Sequence, residues 1–172
     1  MNKDCFRHAM YFGLLLGVLF FIHFAVSLLH NMSLSVMLQL VMKIVIPVVA
    51  VRFAIDCRRR VNADVFSYSQ AFRYFVILFL AASLVCSTLI FVYVQWINID
   101  YLTDLKAQTE EAMEQIVQAT GFSSLLSETE IEQALEMSYT TKMFVTSNFI
   151  GNFIIGIIIG LLGSLVVRND KN

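Results

Sequence analysis

The sequence predicts an all-α polytopic membrane protein, with four transmembrane helices and an extracytoplasmic helical hairpin between the third and the fourth. Three observations carry this. Four apolar runs lie near residues 9–29, 33–51, 74–96 and 146–167, and each is long enough to cross a hydrocarbon core of ~30 Å, which takes about 20 helical residues. The chain is 58% hydrophobic and 15% charged, with 15 Phe, and its mean hydropathy is +0.73. An average soluble domain is about 45–50% apolar and about 25% charged. Finally, the basic residues are segregated along the chain as the runs themselves are.

The first run, Ala9 to Leu29, follows Lys3 and Arg7. It is too long for the roughly 7–15 residue core of a signal peptide, and Ala25-Val26-Ser27 is a poor cleavage site, so it reads as a retained span. Its small residues Ala9, Gly13, Gly17 and Ala25 fall on one helical face. His30-Asn31 then makes a short turn into the second run.

The second run holds Lys43, the one formal charge deep in a span, four residues before Pro47. Intramembrane charges are rare and cost at least ~2.5 kcal/mol. Helical side chains lean toward the N-terminus, so Lys43 leans toward the outer surface, with Gln39 one turn away. Two readings stay open. Lys43 snorkels without function, or it is the centre of a polar layer with His23, Gln39, Ser87 and Asn152, one residue from each other span and one from its own. No Asp or Glu lies inside any span to pair with it.

Residues 52–73 read as a loop carrying Arg58-Arg59-Arg60, a basic anchor for one membrane face. Together with the N-terminus and the C-terminal tail this side holds nine basic residues. The segment 97–145 and the first turn hold only Lys106 and Lys142. By the positive-inside rule both termini and the 52–73 loop are cytoplasmic. Tyr68 and Tyr74 at one end of the third run, and Tyr93, Trp96 and Tyr101 at the other, fit interfacial aromatic belts.

Residues 98–145 read as two amphipathic helices. Leu102, Leu105, Ala112, Met113, Ile116 and Val117 stripe the first, Gly121 to Ser124 makes a turn, and Ser127 with Glu130 matches a capping box. Glu128, Glu132 and Glu136 repeat on one face of the second and read as a solvated surface, since calcium loops need carbonyl turns and a ligand spacing that is absent.

The fourth run carries Asn148, Asn152, Gly156, Gly160 and Ser164 at every fourth position. Such stripes let helices approach closely in lipid. The expectation is that Gly13 and Gly17 of the first span face Gly156, Gly160 and Ser164 of the last, or that one stripe makes a homodimer.

Motifs for catalysis are missing. There is no HExxH, GxSxG or phosphate-binding glycine loop. Cys5, Cys57 and Cys86 share no CxxC spacing and read as small packing residues. Cys5 and His8, at i and i+3, are the one ligand-like pair. No enzyme activity and no cofactor is expected. Nucleic-acid binding lacks a basic face.

Val65-Phe66-Ser67-Tyr68-Ser69-Gln70-Ala71-Phe72 enters the third run, and Val94-Gln95-Trp96-Ile97-Asn98-Ile99-Asp100-Tyr101-Leu102 leaves it. These segments resemble the small four-span bacterial proteins of domain-of-unknown-function family 4199, mostly from Bacteroidota. There an F-x-x-A-F entry and an I-D-P-x-Y exit flank the third span; here the exit lacks the proline. The resemblance spans essentially the whole chain and implies an inner-membrane protein with four spans, without implying an activity. Two functions remain open: an assembly or regulatory partner of other membrane components, or a small oligomeric transporter or channel using the layer around Lys43. The partners are then the bilayer and either a second copy or another membrane protein.

Overall fold

Six α-helices and one π turn make up the computed structural model, which describes residues 2–29, 32–62, 64–120 and 128–169. They are α1 (Lys3–Ser27), α2 (Met32–Val61), α3 (Tyr68–Val92), the π turn Tyr93–Ile97, α4 (Tyr101–Thr120), α5 (Glu128–Ser138) and α6 (Thr141–Val167). Among the described residues there is no strand, only a single bridge between Phe66 and Asn169. Four helices are long and apolar enough to cross a membrane. The turns at His30-Asn31 and Gly121 to Ser124, and the Ser127 cap, lie outside the described residues. So do the side chains of Glu128 and Glu132. The chain divides into two compact units, residues 1–87 with 148–172 and residues 88–147.

In the first unit α3 is the central helix. Half of its apolar window is buried, against 28% or less for the other three. Its entry is fixed by a capping box. The Gln70 amide donates to Ser67 Oγ at 3.4 Å and the Ser67 amide donates to Gln70 Oε1 at 3.3 Å, satisfying two donors that the first turn leaves orphaned. Cys5, Ala9, Gly13, Leu16, Gly17 and Phe20 form the buried face of α1.

That face lies along α3, with the two helices parallel. A Cβ on Gly13 would come within 2.6 Å of Ala81 Cβ and 2.8 Å of the Leu78 carbonyl. One turn on, a Cβ on Gly17 would meet Val85 Cβ at 2.6 Å and the Ala82 carbonyl at 2.7 Å. α6 runs antiparallel on the same helix. Gly156 receives the Phe79 ring, Gly160 faces Phe75 Cβ at 2.9 Å, and Gly163 meets both Phe75 and Val51 of α2. The expected face-to-face pairing of first and last spans is therefore not what forms. Two troughs of small residues have no knobs for each other. α3 supplies backbone and alanines to one trough and phenylalanine rings to the other.

α2 is longer than its apolar run. Its 30 residues, at ~1.5 Å each, exceed the ~30 Å core, and the segment read as loop from residue 52 is helical to Val61. Nothing between Arg52 and Val61 breaks a helix, and Arg58, Arg59 and Arg60 in its last turn suit the negative end of the helix dipole. Beyond it the chain reverses through Asp64, at φ 60°, and clasps the end of α6. Phe66 and Asn169 exchange both backbone hydrogen bonds at 2.9 Å. Arg58 donates to the Val167 carbonyl at 2.9 Å and pairs with Asp64 at 2.9 Å. Thus Arg58 caps α6, and its side chain is 16% exposed where that of Arg60 is 79%. Only Arg59 and Arg60 of the expected anchor point outward.

The second unit holds α4 and α5. Thr109 Oγ1 and Tyr139 Oη share a hydrogen bond at 2.7 Å, and Lys106 lies 3.5 Å from Glu110 and 3.8 Å from Glu136. Tyr101 packs edge-on to Tyr93 and Phe144, and burial pushes its phenol up from the ordinary tyrosine range. Thr140 opens α6, which starts several residues before its apolar run, by accepting from the Met143 amide at 3.4 Å.

Two predictions follow from this packing. Gly156→Ala drives a methyl into Phe79 and is expected to destabilise the detergent-solubilised protein by roughly 1–3 kcal/mol. Gly151→Ala, with nothing within 4 Å, is expected to be neutral or slightly stabilising, since alanine is the better helix former. Thermal melts of the two side by side check this. Likewise Arg58→Ala removes a charged hydrogen bond of about 1.5–3 kcal/mol, while Arg59→Ala stays within roughly 0.5 kcal/mol. Equal melting shifts for both arginines would count against the clasp.

Candidate functional site

The residues expected to form one polar layer make two sets of contacts. α2 places Ser35, Gln39 and Lys43 at i, i+4 and i+8, about 6 Å apart along the axis. Ser35 Oγ donates to the Val26 carbonyl of α1 at 2.9 Å, and Gln39 Nε2 donates to Ser35 Oγ at 3.0 Å. This is a polar seam between the antiparallel helices α1 and α2. Lys43 continues it but is itself exposed. Its charge reaches His23 of α1, whose Nε2 is buried without a hydrogen-bond partner.

Asn152 Nδ2 on α6 donates to Cys86 Sγ on α3 at 3.6 Å. Ser87 Oγ, and Ser83 Oγ one turn before it, are buried without partners. Chemically, the seam offers an ammonium, an amide and an imidazole with no carboxylate. α3 offers two buried hydroxyls with unused capacity. Gly13, Gly17, Gly156 and Gly160 make the close contacts with α3 described above. Ser164, also buried, returns its hydroxyl to the Gly160 carbonyl of its own helix.

A third group, at the end of the unit where α2 carries its arginines, joins Cys5 and His8, the one ligand-like pair of the sequence, to partners that the sequence reading did not connect with them. His8 Nδ1 lies 2.9 Å from Tyr74 Oη, and His8 Nε2 lies 3.3 Å from Asp56 Oδ2. The other oxygen of Asp56 takes Arg60 at 2.6 Å. One imidazole thus ties α1 to α2 and α3, with Tyr74 fully buried. Beside it the thiols of Cys5 and Cys57, both fully buried, approach to 2.8 Å and are free rather than bonded. A signal for this group was present. Cys5 and Cys57, and His8 and Asp56, lie at nearly equal distances from the turn that joins α1 to α2, so an antiparallel pair brings each together. Among the described residues, no three His, Cys, Asp or Glu side chains are arranged to hold a metal ion.

In the second unit the acidic side chains of Asp104, Glu111, Glu114 and Glu136 are exposed. Met137 is exposed as well, and Trp96, Ile97 and Ile99 form an exposed apolar run where the π turn ends.

No curated protein matches the chain, and no solved structure does. A family model does. It covers residues 7–169 and carries the description Protein of unknown function (DUF4199). The match runs from the first turns of α1 to the asparagine that bridges Phe66, taking in all four apolar helices and everything between them, and the chain belongs to this DUF4199 family.

Proposed function

We propose that this is a non-enzymatic inner-membrane protein, with both termini cytoplasmic, that acts as an assembly or regulatory partner of other membrane components. The observation that carries the reading is the contrast between its two units. In residues 1–87 and 148–172, Ser35 is spent on Val26 and Asn152 on Cys86 of neighbouring helices, and Gln39 and Ser164 bond within their own. Residues 88–147 instead leave Asp104, Glu111, Glu114, Glu136 and Met137 exposed. Exposed apolar residues among charges mark interaction surfaces. The charge distribution supports the orientation, with this acidic unit outside.

The test is mild cross-linking in native membranes, followed by purification through a tag. One foreign membrane protein is expected at a fixed ratio. That ratio should fall several-fold in a Glu111→Gln, Glu114→Gln, Glu136→Gln variant whose melting temperature is unchanged. Recovery of nothing but further copies of the chain would overturn the reading.

A second reading, a small oligomeric transporter or channel, is favoured by one specific observation. His23 Nε2, Ser83 Oγ and Ser87 Oγ are buried without partners, and buried polar atoms in that condition are where ordered water is found. The two readings differ at Ser87. In a chain whose other cysteines are replaced, Ser87→Cys is expected to resist a membrane-impermeant maleimide if the helices are tightly packed. Rapid labelling from either side would place water beside α3 and move the weight to transport, with flux through Lys43→Met as the next comparison.

A further inference from the structure

The thiols of Cys5 and Cys57 are brought together by residues 52 positions apart, from two different helices, in a part of the molecule that neither functional reading uses. Their sulfurs are 2.8 Å apart. Non-bonded carbon atoms already prefer about 3.5–4.0 Å, and sulfur is larger. The separation exceeds a disulfide bond, about 2.05 Å, by only ~0.8 Å. It is ~1 Å shorter than the sulfur–sulfur edge, about 3.8 Å, that two thiolates keep on a tetrahedral metal with bonds of about 2.3 Å. The pair is too close for unrelated packing residues and too close for a shared metal. The third cysteine, Cys86, is buried on α3 against Asn152, so the chain carries its own unpaired comparison.

We propose that Cys5 and Cys57 are a redox pair that a small two-electron oxidant of the peroxide class closes into a disulfide, fastening the start of α1 to the end of α2. The step balances as follows. One thiolate attacks the peroxide, the O–O bond breaks, and the leaving alkoxide or hydroxide takes up a proton, leaving a sulfenic acid. The second thiol attacks that sulfur, the S–S bond forms, the S–O bond breaks, and water departs with the thiol's proton. Two thiols lose two electrons and two protons; one hydroperoxide becomes an alcohol, or water, and a further water.

Cys5 is the first nucleophile. It lies in the first turn of α1, where Asn2 provides no side-chain cap, and helix ends open more readily than helix interiors. Cys57 is held inside α2, with Arg60 and Asp56 paired beside it. Both thiols are fully buried, so an oxidant reaches them rarely, and closure is slow and answers sustained rather than brief exposure. Once closed, the bond lies at the same end of the unit as the His8–Asp56 and His8–Tyr74 contacts.

The full-length protein in lipid nanodiscs, exposed to excess hydrogen peroxide, then denatured and alkylated, tests this by intact mass and peptide mapping. The expected product is lighter by two hydrogens and accepts alkylation only at Cys86. Its map links Cys5 to Cys57, and dithiothreitol restores all three thiols. Persistence of three free thiols, oxygen added to a single cysteine without a link, or a link involving Cys86 would each overturn the proposal. So would a metal adduct on the purified protein that a chelator removes together with the protection of both thiols. The wild-type chain decides among these outcomes, so no variant need fold. A Cys57→Ser chain that folds should show Cys5 gaining oxygen instead of losing hydrogen.

Discussion

Close approach to α3 is the constraint on which the rest of the bundle depends. In lipid there is no hydrophobic gain from burying leucine against leucine, so helices associate through dispersion contacts and the few polar pairs they can make. Dispersion falls off steeply with distance, which makes the separation of helix axes the decisive quantity. Gly13 and Gly17 let the backbone of α1 come down on the Leu78 and Ala82 carbonyls. Gly156, Gly160 and Gly163 let α6 take in the rings of Phe75 and Phe79. The two contacts use opposite devices, flat backbone packing on one side and ring-in-trough packing on the other. α3 can serve both because it has alanines facing α1 and aromatics facing α6.

The ends of the helices obey a different solvent. Where the chain leaves the apolar region it can again use charges, and the arginine-bearing end of the first unit is built from them. Arg58 satisfies the last carbonyl of α6, Asp56 holds His8 and Arg60, and the capping box of Ser67 and Gln70 starts α3. These interactions would be weak if fully exposed. They gain from partial burial beside Phe66 and Tyr74, both almost wholly buried. The loop between α2 and α3 is thereby tied to the end of α6, so that the one long connection of this unit is not left free.

How much of this was legible in the sequence depends on whether a property is local or pairwise. The four spans were legible because length and hydropathy are properties of one segment. The small-residue stripes were visible for the same reason, but the helix that each stripe faces was not. A stripe says that something comes close, and only the complementary surface says what; here that surface is Ala81, Ala82, Phe75 and Phe79, unremarkable letters in an apolar run. The end of α2 was misjudged where hydropathy was taken as the boundary, since the helix continues through polar residues that are good helix formers. The His8, Asp56 and Tyr74 contacts needed the antiparallel register of α1 and α2, which the short connection between them had already implied.

Lys43 shows what that register does for a costly residue. Its charge has no carboxylate within the spans, and an ammonium in the centre of a bilayer is among the least favourable placements a chain can make. The fold does not enclose it. It lies at an open position of α2, last in a line with Gln39 and Ser35 that leads toward the start of the helix, and the lean of helical side chains points it along that line. The seam those residues make with α1 gives the ammonium polar neighbours in the direction it must reach, and leaves the interior around α3 to glycine and aromatic packing. The enclosed unpaired hydroxyls belong to Ser83 and Ser87, on the helix that is buried most. The charge that draws the eye in the sequence and the polar atoms with unmet hydrogen-bonding capacity at α3 are therefore different features, and water or a ligand at one need not involve the other.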